Sequence, residues 1–522
     1  MLLSKFLTSN FYVFMINTKR RQIFREFFML GYNHFKNITS QRKMFYIFLA
    51  IHFIVWTCVG LIRTVMPTDT LEGIYWGSLQ DFGTPKHPPL AGWLTYLAYI
   101  PFKLDICTYL LSQLFILGGF IFTYKLARKF LDESKSMLSV IILEGCWVYS
   151  YITGYYGFNP DVILLFILPL ISYIFYFCMK DNKPINWVML GLVVGIAFLN
   201  KYQTGFIIFA MAIYALMFKR EIFKNIWFYV STILAFVIFL PHLLWLIKYD
   251  FFPLLYFEGE MTADSWLNHL TAPLMFLLMQ LAAIGGTLLI YLILRLKFKA
   301  PFRFIQNYNK KEFWFIVLLG LGPILMHLVM GFFAGGNMRA RWGYEFWYML
   351  GIMLFYFFPF EINKEEFKFA TKSAYVVMLI IFLALGGLLS IEMNYRSRYP
   401  VATVYGDLQK AWAEKYDTPV KYLGGYIEWT LPITIYGENH PMTIQDTHGY
   451  PDPWISEEER KVSGILVIDR YPILVEARAR DAAPYLDKDY KIEPIEYKFM
   501  VKNAFGMERE YTIYYAIIPP MK

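Results

Sequence analysis

The stretch from residue 66 to 93 gathers side chains able to do chemistry. It reads Met66-Pro67-Thr68-Asp69-Thr70-Leu71-Glu72-Gly73-Ile74-Tyr75-Trp76-Gly77 and then Gly83-Thr84-Pro85-Lys86-His87-Pro88-Pro89-Leu90-Ala91-Gly92-Trp93. Asp69 and Glu72 are three residues apart, so on a helical turn they share a face, where a carboxylate serves as a general base or a metal ligand. The competing structural role for Asp69 is a helix N-cap. Lys86 and His87 add cations on a backbone stiffened by Pro88 and Pro89, whose rings fix φ. Cations beside carboxylates suit an anionic substrate held near a base.

The elements that position this stretch are read from apolar runs. The 522 residues are 57% hydrophobic and 20% aromatic with only 17% charge, a composition whose solvent is largely lipid. A helix of about 20 apolar residues crosses the roughly 30 Å hydrocarbon layer. Such runs predict about eleven spans, near 45–66, 106–124, 138–154, 160–179, 186–200, 203–218, 226–247, 272–294, 313–333, 344–359 and 373–392. With the N-terminus cytoplasmic, inside segments hold 26 Lys and Arg against 7 in the outside loops, the asymmetry of the positive-inside rule. The formal charge of +9 therefore belongs to the loops and does not point to nucleic acid. The seven outside cations are Arg63, Lys86, Lys103, Lys201, Lys248, Arg339 and Arg341.

Three domains follow. Residues 1–44 form a basic cytoplasmic segment that reads as retained, either a helix on anionic lipid or a disordered tail. Residues 45–392 form the transmembrane domain, whose first outside loop covers 67–105. Residues 393–522 form a soluble outer tail, where runs such as 420–423, 464–468 and 511–515 predict a small α/β domain. The four cysteines fall in or beside apolar spans, so neither a disulfide framework nor a zinc cluster is expected. Glu144 and His327, inside spans, are expected to make interhelical hydrogen bonds.

The pattern Asp-x-x-Glu-Gly-x-x-Trp-Gly followed by Lys-His-Pro-Pro-Leu-x-x-Trp resembles the first periplasmic loop of family 39 glycosyltransferases. These are C-type, polyprenyl-phosphate-sugar-dependent membrane enzymes that include protein O-mannosyltransferases and the aminoarabinose transferase acting on lipid A. Further segments agree in order: Gly157-Phe158-Asn159-Pro160-Asp161, Gly195-Ile196-Ala197-Phe198-Leu199-Asn200-Lys201-Tyr202 with Asn200 in place of the family's Ser, Pro241-His242-Leu243-Leu244-Trp245, and Arg341-Trp342-Gly343. In the tail, Pro419 to Gly425 with His440-Pro441 is similar to the domain that follows the membrane part in bacterial relatives.

The resemblance implies a polytopic α-helical C-type fold and inverting transfer of one sugar from an undecaprenyl-phosphate-linked donor to an envelope acceptor at the outer face of the bacterial inner membrane. A lipid A or other glycolipid acceptor is favoured. Asp69 would be the general base, and Glu72 would assist it or hold a divalent cation, with metal dependence open. Lys201 leads the set that would meet the donor or acceptor phosphate, with Lys86, His87, Tyr202, Arg339 and Arg341. Asp161 either caps span four or joins the acidic site. A lipid or sugar transporter and a protein O-glycosyltransferase stay open as alternatives.

Overall fold

The structure is a computed structural model that describes residues 38–261, 265–336, 338–445, 452 and 454–521. Most of the expected N-terminal segment therefore lies outside the described residues. Among the described residues seven helices are long and apolar enough to cross a membrane. They are α1 (Ser40–Gly60), α4 (Ile106–Ala127), α7 (Pro160–Asp181), α10 (Ile226–Lys248), α12 (Asn268–Lys297), α13 (Lys310–Ala334) and α15 (Lys364–Ile391). The remaining helices of the membrane part are α2 (Thr68–Leu79), α3 (Leu90–Tyr99), α5 (Glu133–Ile141), α6 (Tyr151–Tyr156), α8 (Pro184–Phe198), α9 (Thr204–Phe218), α11 (Phe252–Glu260) and α14 (Leu350–Phe357).

The predicted spans at 186–200 and 203–218 are helices of 15 residues each, α8 and α9. Those at 138–154 and 344–359 are not continuous helices. The first is α5, two short 3₁₀ turns (Ile142–Gly145 and Trp147–Tyr149) and α6; the second is a 3₁₀ stretch, Ala340–Met349, running into α14. Irregular backbone survives at membrane depth only where protein covers it, and most of the described residues of these pieces are enclosed. Leu138, Val140, Ile141, Leu143, Phe346, Tyr348, Met349 and Ile352 are fully buried. Gly351 seats against the Ser139 backbone and Gly145 against that of Gly286, so the two broken segments and α12 meet at van der Waals distance. Glu144 is held by Trp56 Nε1 at 2.9 Å and His52 Nδ1 at 2.6 Å, the interhelical role expected of it. Apolar side chains left exposed on α10, α12 and α15, such as Ile233, Leu278 and Leu383, suit contact with lipid.

The tail carries α16 (Tyr395–Arg398), α17 (Val401–Ala413), α18 (Ile427–Tyr436), α19 (Glu457–Ser463), α20 (Pro472–Ala482) and a five-stranded sheet of β1 (Tyr422–Gly425), β2 (Met442–Thr443), β3 (Ile465–Asp469), β4 (Ile495–Lys502) and β5 (Glu508–Ile518). Strand order is β2-β1-β3-β5-β4; β1 lies parallel to β2 and β3, while β5 is antiparallel to β3 and β4. The three expected strands correspond to β1, β3 and β5. The tail and the first loop share one apolar core: Leu71, Ile74, Tyr75 and Trp76 of α2 pack with Leu408, Trp412, Trp429 and Leu431. Polar bonds seal the join. Tyr75 Oη donates to the Thr443 carbonyl at 2.7 Å, Met66 N–H donates to Tyr436 Oη at 3.0 Å, and Tyr436 Oη donates to Asp105 at 2.9 Å.

Candidate active site

Four chain segments are stitched together at one end of the bundle. Asn159 caps α7, its Oδ1 accepting from the amides of Asp161 at 3.0 Å and Val162 at 3.2 Å, with Pro160 at the first helical position. Capping of this helix thus belongs to Asn159, and the Asp161 carboxylate bonds Lys201 instead. Gly157 must sit in the left-handed region (φ 67°), and any Cβ there would collide with Thr70 Oγ1, so this turn abuts α2 closely. Asn200 Nδ2 donates to the Pro160 carbonyl at 2.9 Å, and the Leu90 amide donates to the Leu199 carbonyl at 3.0 Å, pinning the Lys201 loop to both neighbours. Thr84 closes the turn of the Lys-His-Pro-Pro segment, its Oγ1 accepting from the His87 amide at 2.9 Å and donating to the His87 carbonyl at 2.7 Å.

Within this frame Asp69 is anchored through one oxygen. Oδ2 accepts from Arg341 Nη1 at 3.0 Å and from Asn159 Nδ2 at 3.3 Å, whereas Oδ1 receives no hydrogen bond among the described residues. Arg341 in turn lies over the Tyr156 ring, 5.3 Å from its centroid. Glu72, one turn along α2, is buried and bonded by Lys86 Nζ. Burial lifts the Glu72 carboxyl above its ordinary range, opposed by the Lys86 ammonium. Each carboxylate thus faces a cation of its own, and among the described residues no cluster of three His, Cys, Asp or Glu is arranged to hold a metal ion.

Lys201 is buried and bonded to Asp161, with Glu345 Oε1 3.5 Å from its ammonium. Glu345 is fully buried, and among the described residues neither of its oxygens accepts a hydrogen bond. His87 is pressed to a pKa of about 3, by burial first and then by the Lys201 cation, with Asp161 opposing. It is a neutral imidazole at physiological pH. Tyr202 points elsewhere: its hydroxyl donates to His242 Nε2 at 2.8 Å, and His242 Nδ1 donates to the Phe82 carbonyl at 2.6 Å. His327 bonds Gln203 at 3.2 Å, again an interhelical contact.

Two cavities meet at this wall. One, of about 930 Å³, runs under the tail and is lined by Arg63, Trp147, Tyr151, Tyr155, Arg396, Tyr426 and Glu428, with an apolar side made by Ile380, Ile381, Leu385 and Leu388 of α15. The other, of about 340 Å³, is lined by Glu72, His87, Lys201, Tyr202, Phe206, Leu254 and Met330. Asp69, Lys86, Arg339 and Arg341 line both, so they form the partition between them. Eight of the nine candidate residues line these cavities, Tyr202 with its hydroxyl turned to His242, and Asp161 stands behind them bonded to Lys201. Sequence reasoning named Arg63 only as an outside cation and Asn159 only within a matched segment, and it passed over Glu345, for which a carboxylate inside the apolar run 344–359 was the available signal.

Residues 86–245 match the family described as dolichyl-phosphate-mannose-protein mannosyltransferase. The lipid A galacturonosyltransferase RgtD of Rhizobium johnstonii is 26% identical over 211 residues, which cover 39% of this chain and 43% of that protein. The chain thus spans under half the length of that curated relative. The crystal structure of apo ArnT from Cupriavidus metallidurans superimposes with a TM-score of 0.57 at 14% identity, over 92% of this chain and 98% of the other. The likeness to known proteins thus holds at two levels, in sequence to the mannosyltransferase family over residues 86–245 and in fold to ArnT over nearly the whole chain.

Proposed function

We propose that this protein transfers a single sugar, with inversion, from an undecaprenyl-phosphate-linked donor to a lipid A-like glycolipid at the outer face of the bacterial inner membrane. The observation that carries the reading is Asp69 on the wall between two cavities, fixed by Oδ2 with Oδ1 open. The donor phosphate occupies the smaller cavity, where Lys86, Lys201, Arg339 and Arg341 supply fixed positive charge, and neutral His87 donates or accepts a hydrogen bond. The acceptor hydroxyl arrives from the larger cavity. Asp69 Oδ1 takes its proton as the acceptor oxygen bonds to the anomeric carbon, while the bond from that carbon to the phosphate oxygen breaks and its electron pair stays on the phosphate. Cations held in a partly desolvated wall stabilise the leaving phosphate most as its charge develops.

A glycolipid acceptor is supported over a protein by the apolar α15 side of the larger cavity, which suits acyl chains, and by the substrate named in the curated relative. Outward facing of the site and the tail is supported by the 26 to 7 bias of basic residues. The tail then roofs the acceptor cavity through Tyr426, Ile427 and Glu428. The test compares envelope glycolipids by mass spectrometry in cells lacking the protein, complemented with wild type or Asp69→Asn at equal membrane levels. A mass increment of one sugar that returns only with wild type supports the reading and names the sugar. Restoration by both variants removes Asp69 from the chemistry and favours a transporter; no change in any glycolipid removes the glycolipid acceptor.

A further inference from the structure

Helix α8 packs on α10 and α7, while α9 packs chiefly on α13. The seam between these groups is not filled. It leaves a cleft of about 550 Å³ whose lining includes Trp187, Met211, Ala215, Ala235 and Phe239, and whose few polar groups are Tyr202, Ser231 and Thr232. Exposed Ala212 and Phe236 stand on its rim, so the cleft opens sideways toward hydrocarbon.

Its two ends differ. At the site end, Tyr202 lines both the cleft and the smaller cavity, but its hydroxyl is tied to His242 and through it to the Phe82 carbonyl, which makes a fixed partition. At the far end the lining includes Ile222 and Phe223, on the segment between Arg220 and Lys224. Asn225 Nδ2 donates to Asn182 Oδ1 at 2.7 Å, and Trp187 Nε1 donates to the same oxygen at 2.8 Å, which draws the 180–183 loop to the same mouth. Together the segments 180–183 and 219–224 hold five basic residues against two acidic ones, Asp181 and Glu221, with Glu221 3.5 Å from Lys219. Lys183, Arg220 and Lys224 are exposed.

An apolar slot open to the membrane, closed toward the reaction site and ending in a basic mouth matches the chemistry of one kind of molecule. We propose that the cleft is a phospholipid site, taking an acyl chain of an anionic phospholipid whose phosphate rests on Lys183, Arg220 and Lys224. The occupant is not the isoprenoid tail of the donor, because the Tyr202–His242 partition separates the cleft from the phosphate-binding cavity. By the positive-inside reading the headgroup belongs to the cytoplasmic leaflet, where anionic lipids attract basic side chains. The lipid fills a packing defect in the bundle, and only the exclusion of the donor tail rests on the transferase reading.

The test is native mass spectrometry of the full chain in detergent, titrated with phosphatidylglycerol, phosphatidylcholine or undecaprenyl phosphate. Preferential retention of phosphatidylglycerol is expected, with a loss of roughly fivefold per cation in the Lys183→Gln/Arg220→Gln/Lys224→Gln variant. Ala235→Trp, which fills the cleft, should lower retention of both phospholipids. The charge variant lies on exposed loops and leaves the fold intact, so it decides the matter if Ala235→Trp does not fold. Equal retention of the two phospholipids by wild type, unchanged retention by the charge variant, or displacement of phosphatidylglycerol by undecaprenyl phosphate overturns the proposal.

Discussion

Asp69 holds Arg341 and Asn159 through Oδ2 and leaves Oδ1 open. Asp69→Asn keeps an acceptor for Arg341 and a similar shape but removes the proposed base, so transfer should fall about 10²–10⁴-fold. Single-turnover assays with purified protein and a polyprenyl-phosphate sugar measure the loss, and an unchanged melting temperature separates it from misfolding. Lys201 sits differently, buried between Asp161 and Glu345. Lys201→Met should cost about 3–5 kcal/mol of stability because it strands buried carboxylates, and Asp161→Asn added to it should recover part of that cost. Thermal unfolding of the single and double variants reads both.

His87 gives a pH signature. Its folded pKa of about 3 lies below the unfolded value near 6.5, so in between the unfolded chain binds a proton that the native chain refuses. Its contribution is present in full above about pH 6.5 and is lost as the pH falls toward 3. His87→Gln should therefore flatten the acid limb of the stability profile between pH 6.5 and 4, as followed by unfolding in detergent; an equally steep limb would place the effect elsewhere. Asp69, Lys86 and His87 were legible because their spacing is local. Glu345 was not weighed, since its meaning depends on Lys201, which lies 144 positions earlier in the chain and reaches it only in the fold.

At the scale of elements, α2 presents the carboxylates and α3 anchors the loop that carries Lys86 and His87, through a contact that leaves no room for a side chain. A Cβ on Gly77 would lie 2.1 Å from the Gly92 carbonyl oxygen, backbone that has nowhere to go. Gly77→Val should separate the two helices, cost about 1–3 kcal/mol and lower transfer with it; melting temperature and transfer rate measured on one preparation check both. Apolar runs revealed the long spans well. They could not show that 138–154 and 344–359 break, because a buried irregular segment is as apolar as a helix and its backbone is satisfied by neighbours that are invisible locally. Strand β4 was missed for the opposite reason: its exposed alternation, Glu496, Lys498 and Lys502 among apolar residues, carries too much charge to stand out.

At the scale of the molecule, the tail and the first loop behave as one body. Removing residues 400–522 would leave Leu71, Ile74, Tyr75 and Trp76 without their partners and strip the roof from the larger cavity. Such a chain should lose transfer and gain rapid amide exchange across α2 and α3. Hydrogen-exchange mass spectrometry would show whether that protection depends on the tail.

The shared core also sets a clock on biogenesis. The loop bearing Asp69 is made near the start of translation, whereas its packing partners Leu408, Trp412, Trp429 and Leu431 emerge only after the last membrane helix. Until then the carboxylate-bearing helix has no complete surface to settle on, and a partly made chain displays the apolar face of Leu71, Ile74, Tyr75 and Trp76 until the tail arrives to cover it.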